Sequence, residues 1–129
     1  MIPAPFDEAR LPAVLECFYA RVRADARLGP VFDAAIGDWP AHLLRIGCFW
    51  RSVMRGDGSY KGNPLALHAR HAARMDAAMF DRWLALWRQT TAEMLPGPEA
   101  AGLQEKAARI RQSLQMALGF APLAIRGRG

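Results

Sequence analysis

An all-helical, single-domain fold is what this sequence predicts, and three observations carry that expectation. Alanine, leucine and arginine dominate while β-branched residues are few, a mixture that favours helix over strand. Apolar residues recur at steps of three and four, the spacing that aligns them on one face of an α-helix. No alternating apolar–polar run competes as a strand. At 129 residues and 52% apolar content, the chain can bury one core without disulfides or metals. The expected domain spans 1–129, with a core from about residue 8 to 118 and a frayed tail at 119–129.

The elements follow in chain order. Leu11, Val14, Leu15, Phe18 and Val22 share one helix face, and Gly29–Pro30 is read as the stop of that helix. Val31 to Ile36 adds one helical turn. Asp38-Trp39-Pro40 then reads as a helix start, since Asp38 can cap and proline is tolerated in a first turn. This helix runs from about Trp39 to Met54 and collects His42, Ile46, Phe49, Trp50 and Val53 on one face. Gly56 to Pro64 holds too many breakers to be anything but loop, and a short helix over Leu65–Arg74 carries His68 and His71. Between about Ala77 and Leu95, Phe80, Trp83, Leu84, Trp87, Thr91 and Met94 form the strongest amphipathic pattern. Pro96-Gly97-Pro98 breaks it. Glu99 suits the first turn of a last helix whose core positions are Leu103, Ala107, Ile110, Leu114 and Leu118. The total is five or six helices.

Charge and cysteine usage narrow the function classes. The net charge of +5 would permit nucleic-acid binding, but most arginines alternate with apolar positions as on a solvated helix face. Only Arg126 and Arg128 cluster, and no nucleic-acid motif is recognisable. No apolar run reaches the roughly 20 residues of a membrane span, and MIPAPFDEAR does not read as a signal peptide. A cytoplasmic location is therefore expected, with Cys17 and Cys48 as buried free thiols.

Three histidines, His42, His68 and His71, are the whole supply of neutral nitrogen ligands. His42 and Ile46 are four residues apart, hence only about 40° apart around the helix axis. A lone histidine on such an apolar face is more often a hydrogen-bonded core residue than a ligand. His68 follows a proline-closed loop and has apolar residues on one side and basic ones on the other, which suits a flat apolar cofactor with acidic edges. Zinc, di-iron and covalent-haem signatures (HExxH, Glu-x-x-His, Cys-x-x-Cys-His) are absent, as is a phosphate-binding glycine loop. The aromatics Phe18, Tyr19, Phe49, Trp50, Trp83 and Trp87 are abundant for so small a core. Most such residues simply pack, but the Tyr19 hydroxyl and the Trp83 indole need acceptors if buried, and a bound gas can supply one.

From Leu11 to Leu118 the chain resembles the group III truncated haemoglobins. The resemblance is carried, in order, by Phe18-Tyr19-Ala-Arg-Val-Arg23, Leu28-Gly-Pro-Val-Phe32, Asp38-Trp-Pro-Ala-His42 and Phe49-Trp50. It continues through Tyr60-Lys-Gly-Asn-Pro64 leading to His68, and Phe80-Asp-Arg-Trp83-Leu-Ala-Leu-Trp87. The resemblance implies a two-over-two helical sandwich around haem b, with His68 as the proximal iron ligand and its second ring nitrogen donating to a carbonyl or water. It places Tyr19, His42, Ile46 and Trp83 on the distal side. There Tyr19 and Trp83 donate to the bound gas, Ile46 is apolar wall and His42 is a gate between pocket and solvent. Phe32, Phe49 and Trp50 are expected against the macrocycle and Arg45 beside a propionate, with Tyr60 and Lys61 as weaker candidates at the haem edge. One departure stands out: Ala69-Arg-His71-Ala-Ala-Arg-Met75 lacks the Leu-Pro step common in the family. His71 is thus either solvent-facing or an alternate ligand when His68 is lost.

The expected function is reversible binding of oxygen, nitric oxide and carbon monoxide by a monomeric haem globin. An alternative on the same scaffold is a peroxidase or nitric oxide dioxygenase, which would need an external reductase because the chain carries no flavin or nicotinamide domain. A second alternative is a cofactor-free basic helical module.

Overall fold

The computed structural model describes residues 7–56 and 75–117, and every regular element among them is helical. A 3₁₀ turn, Glu8–Arg10, leads into α1 (Leu11–Ala24), followed by α2 (Leu28–Ala35), α3 (Trp39–Arg55), α4 (Ala77–Met94) and α5 (Gly97–Ala117). The pairs α1/α3 and α4/α5 pack on one another, with α1 against α4 and α3 against α5; α2 bridges α1 and α4. This is the two-over-two arrangement that the sequence led us to expect. The short helix read over Leu65–Arg74, with His68, His71, Tyr60 and Lys61, lies outside the described residues, as do Leu118 and the tail.

Local chemistry sets the helix ends. Asp38 caps α3 by accepting from the Ala41 amide at 3.1 Å, as its sequence position foretold, and Asp76 caps α4 through the Met79 amide at 2.9 Å. Gly56 closes α3 with φ +69°, a left-handed conformation that glycine adopts without a Cβ penalty. The break between α4 and α5 is confined to Leu95 and Pro96; Pro98 sits in the first turn of α5, where its missing N–H costs nothing.

The end of α1 corrects the sequence reading. Gly29–Pro30 does not stop that helix but lies inside the first turn of α2, and α1 has already ended at Ala24. Asp25 makes the turn. Its Oδ1 accepts from the amides of Arg27 and Leu28 at 2.9 and 3.0 Å, and its Oδ2 accepts from Arg82 Nε at 2.6 Å. This carboxylate is only 8% exposed, and the Arg82 guanidinium, followed by the two amides, holds its pKa below the usual range. The glycine is required for closeness rather than flexibility: a Cβ at Gly29 would stand 2.4 Å from the carbonyl oxygen of Arg23.

The core is centred on Trp87, which is fully buried. Its indole Nε1 donates to the Leu103 carbonyl of α5 at 3.1 Å. Trp50 of α3 stacks on it at 4.7 Å, and Phe18 of α1 meets it edge-on at 4.8 Å. Around these rings pack Leu11, Val14, Leu15, Val22, Leu28, Leu84, Leu103 and Ala107. Thr90 and Thr91 are buried without penalty because each hydroxyl donates to a carbonyl one turn back, Leu86 or Trp87, at 2.8 Å. The cysteines are free as expected, but not both buried: Cys17 is half-buried, whereas Cys48 lies on the outer side of α3, where Arg51 donates to its sulfur at 3.3 Å.

Two outcomes follow for denaturant unfolding. Asp25→Ala should lower stability by about 1–2 kcal/mol at pH 7. Because the carboxylate's pKa is depressed on folding, that deficit should shrink as pH falls through and below the usual carboxylate range. Gly29→Ala should cost about 1–3 kcal/mol by forcing α1 and α2 apart.

Candidate functional site

Between the helices lies a cavity of about 620 Å³, within the usual range for small-molecule sites. Its existence follows from faces that do not close. On α3 only Gly47, Trp50 and Ser52 are buried, and Ile46 and Phe49 of the same apolar stripe are half-exposed and line the cavity. On α5 the core positions Leu103 and Ala107 are buried, and Ile110 is half-buried, packing on the core and lining the cavity; Leu114, expected from its spacing to be core, forms cavity wall instead. Phe32 comes from α2, and Met79, Phe80 and Trp83 from α4.

The distal candidates converge here. Tyr19, His42, Ile46 and Trp83 all line the cavity, and so do Phe32, Arg45, Phe49 and Trp50. Trp50 serves two roles, since most of its ring is buried against Trp87 and only its margin reaches the cavity. Phe18 stands between the two hydrogen-bond donors, with its ring 4.9 Å from that of Tyr19 and 5.8 Å from that of Trp83. Among the described residues none accepts from the Tyr19 hydroxyl or the Trp83 indole. Burial pushes the Tyr19 pKa well up, so the phenol stays protonated and remains a donor throughout the neutral range.

His42 is not the hydrogen-bonded core histidine that its position on α3 most simply suggests. Its Nε2 is buried with no partner among the described residues, and its ring meets Tyr19 edge-on at 5.3 Å. Burial, then the nearby charge of Arg45, lowers its pKa below 6.5. Arg45 itself is exposed at the cavity margin and makes no ion pair among the described residues. Arg109 and Arg111, also on the wall, are paired with Glu105 at 2.8 Å and Asp81 at 2.7 Å. No three His, Cys, Asp or Glu side chains among the described residues converge as metal ligands would.

The sequence reading missed several walls: Leu28, Val31, Ile36, Met75 and Met79, together with the α5 side of the cavity. Met79 was findable, because it precedes Trp83 by one helical turn. The described helices also include none long and apolar enough to cross a membrane.

A two-over-two sandwich of helices around a largely apolar cavity is a globin-like arrangement. No protein-family model matches the chain. The group 3 truncated haemoglobin ctb of Campylobacter jejuni is 34% identical over 88 residues, covering 65% of this chain and 68% of that protein. The crystal structure of the group III truncated haemoglobin from Campylobacter jejuni superposes with a TM-score of 0.77 at 28% identity, covering 92% of this chain and 95% of that one. The chain belongs to the group III truncated haemoglobins.

The depressed pKa of His42 has a testable sign. The folded state favours the neutral ring, so this residue's contribution to stability is present above pH 6.5 and is lost as pH falls below it. NMR titration should find the His42 ring protonating below the ordinary histidine range, and His42→Phe should flatten the stability profile between about pH 5 and 7.

Proposed function

We propose that the cavity holds haem b, with His68 as the proximal iron ligand, and that the protein binds a diatomic gas (oxygen, nitric oxide or carbon monoxide) beside Tyr19 and Trp83. The observation that carries this reading is a pair of aromatic donors, unpartnered among the described residues, in the wall of a largely apolar cavity. Both donors face the cavity with no protein acceptor among the described residues, and a ligand with developing negative charge supplies one. The cavity suits the cofactor: Phe32, Ile46 and Phe49 offer apolar contact, and Arg45 at the margin, without an ion pair among the described residues, offers a cation to an acidic edge.

When bound, haem would supply the iron that takes up the gas. The protein's part is orientation and hydrogen bonding. Tyr19 and Trp83 donate to the ligand in a low-dielectric pocket, Ile46 keeps water away, and the His42 ring stands at the wall between Tyr19 and solvent. Each hydrogen bond is worth about 1–3 kcal/mol, which slows ligand release roughly 5- to 150-fold. His68 comes to this role from its place in the family's sequence pattern, after Tyr60-Lys-Gly-Asn-Pro64.

Absorption spectra of the oxidised, dithionite-reduced and carbon monoxide-treated protein test the proposal. Wild type should show a strong Soret band that shifts with carbon monoxide, and His68→Ala should weaken or alter it. A wild-type protein with no Soret band, even after haem is added, would overturn the reading in favour of a basic helical module. With haem bound, Tyr19→Phe and Trp83→Phe should each speed oxygen release by the factor given above.

A further inference from the structure

Behind the cavity wall stands a residue that the functional reading does not use. Trp39, the first residue of α3, does not line the cavity, yet its ring lies 5.6 Å from that of Tyr19 and 5.5 Å from that of His42. The three rings form a closed triangle, with His42 held edge-on by both partners at 89° and 83°. Trp39 is itself pinned from outside. Its Nε1 donates to Asp33 Oδ1 of α2 at 3.3 Å, the same oxygen accepts from Arg23 Nε of α1 at 3.1 Å, and the Arg23 guanidinium lies 4.6 Å above the indole. One carboxylate oxygen thus ties together three helices beside the His42 ring.

We propose that Trp39 is a positioning residue of the gas pocket: clamped by Asp33 and Arg23, it holds the His42 imidazole and the Tyr19 ring at the cavity wall and thereby limits how readily a small ligand reaches the pocket. The inference rests on the gas-binding reading for its consequence, but not for its geometry. His42 lies one helical turn beyond Trp39, so outward rotation of the imidazole must displace the indole. The indole cannot move without giving up the Asp33 hydrogen bond and the stacked guanidinium, each a modest restraint at the surface but acting on one ring together. The His42 Nε2, buried and without a partner among the described residues, fits this account, because packing on Tyr19 and Trp39 holds the ring in the wall.

Three full-length variants test it: Trp39→Leu, Trp39→Phe and Asp33→Ala, the last confined to the exposed clamp so that folding is left intact. Two readouts apply. The first is the NMR titration of His42 in the protein as purified, assigned by loss of its signal in His42→Gln and read in the ferrous carbon monoxide form where haem is present. Trp39→Leu should raise the His42 pKa toward 6.5 as the ring gains water, and Trp39→Phe should restore much of the wild-type value. The second is carbon monoxide association after flash photolysis, with the C–O stretching band recorded on the same samples. Trp39→Leu should speed association roughly tenfold and broaden the band; Asp33→Ala should do so about two- to fivefold. An unchanged His42 titration in both Trp39→Leu and Asp33→Ala would overturn the proposal, whether or not haem is bound. Unchanged association in haem-loaded variants would overturn its functional half. A missing Soret band in wild type would count against the haem reading alone and leave the titration to decide the positioning role.

Discussion

The buried indole of Trp87 is the contact on which the rest of the arrangement depends. It is the point where α4 meets α5 through the Leu103 carbonyl, α3 through stacking on Trp50, and α1 through the edge of Phe18. A ring this large can be fully enclosed only because its one polar atom is satisfied. Trp83, one turn earlier on α4, lies almost parallel to it at 6.4 Å with 3° between the planes. The orientation of the donor at the cavity is therefore inherited from the core. The site is rigid on that side because it is an extension of the packing, not a loop laid over it.

The other side of the site is built differently. Tyr19 follows Phe18 in α1, so the residue that packs on Trp87 fixes the register of the one that faces the cavity. His42 and Ile46 come from α3, a helix whose first turn is held by the Asp38 cap and by the Asp33–Trp39–Arg23 cluster. Core packing positions the Trp83 wall, and surface polar contacts position the His42 wall. Most arginines near these joints work as struts: Arg82 to Asp25, Arg55 to Glu8 and Arg111 to Asp81 each connect different elements. These arginines are thus committed to pairs between elements.

What could be read from the sequence was what local chemistry decides. The Asp38 cap, the Pro96 break and the apolar stripes of α1, α3 and α4 depend on residues within a turn or two of each other, and they lie where spacing put them. The cavity residues Tyr19, His42, Ile46 and Trp83 were singled out together through the ordered family motifs, not through periodicity, which marks Trp83 and Trp87 alike. The α1–α2 junction was misread because its determinants are tertiary. Asp25 makes the turn with help from Arg82, 57 residues away, and Gly29 is needed for a close approach that no local pattern announces. Leu114 was read as core because a stripe reports that a face is apolar, not what covers it. Cys48 was placed inside for the same reason: its neighbours are apolar, but it lies on the other side of the helix.

The unclosed apolar faces of α3 and α5 have a thermodynamic consequence. A cavity of about 620 Å³ between them means that this part of the core is not completed by the described side chains. Whatever fills it contributes packing and removes apolar surface from water, so its binding free energy is coupled to that of folding. By mass action, an occupant at a hundred times its dissociation constant stabilises the folded state by about 2.7 kcal/mol. For a domain of this size such an increment is a sizeable part of the whole. The occupied and empty proteins would accordingly differ in lifetime against unfolding and proteolysis as well as in what they bind, and the supply of the occupant would help set how much folded protein persists.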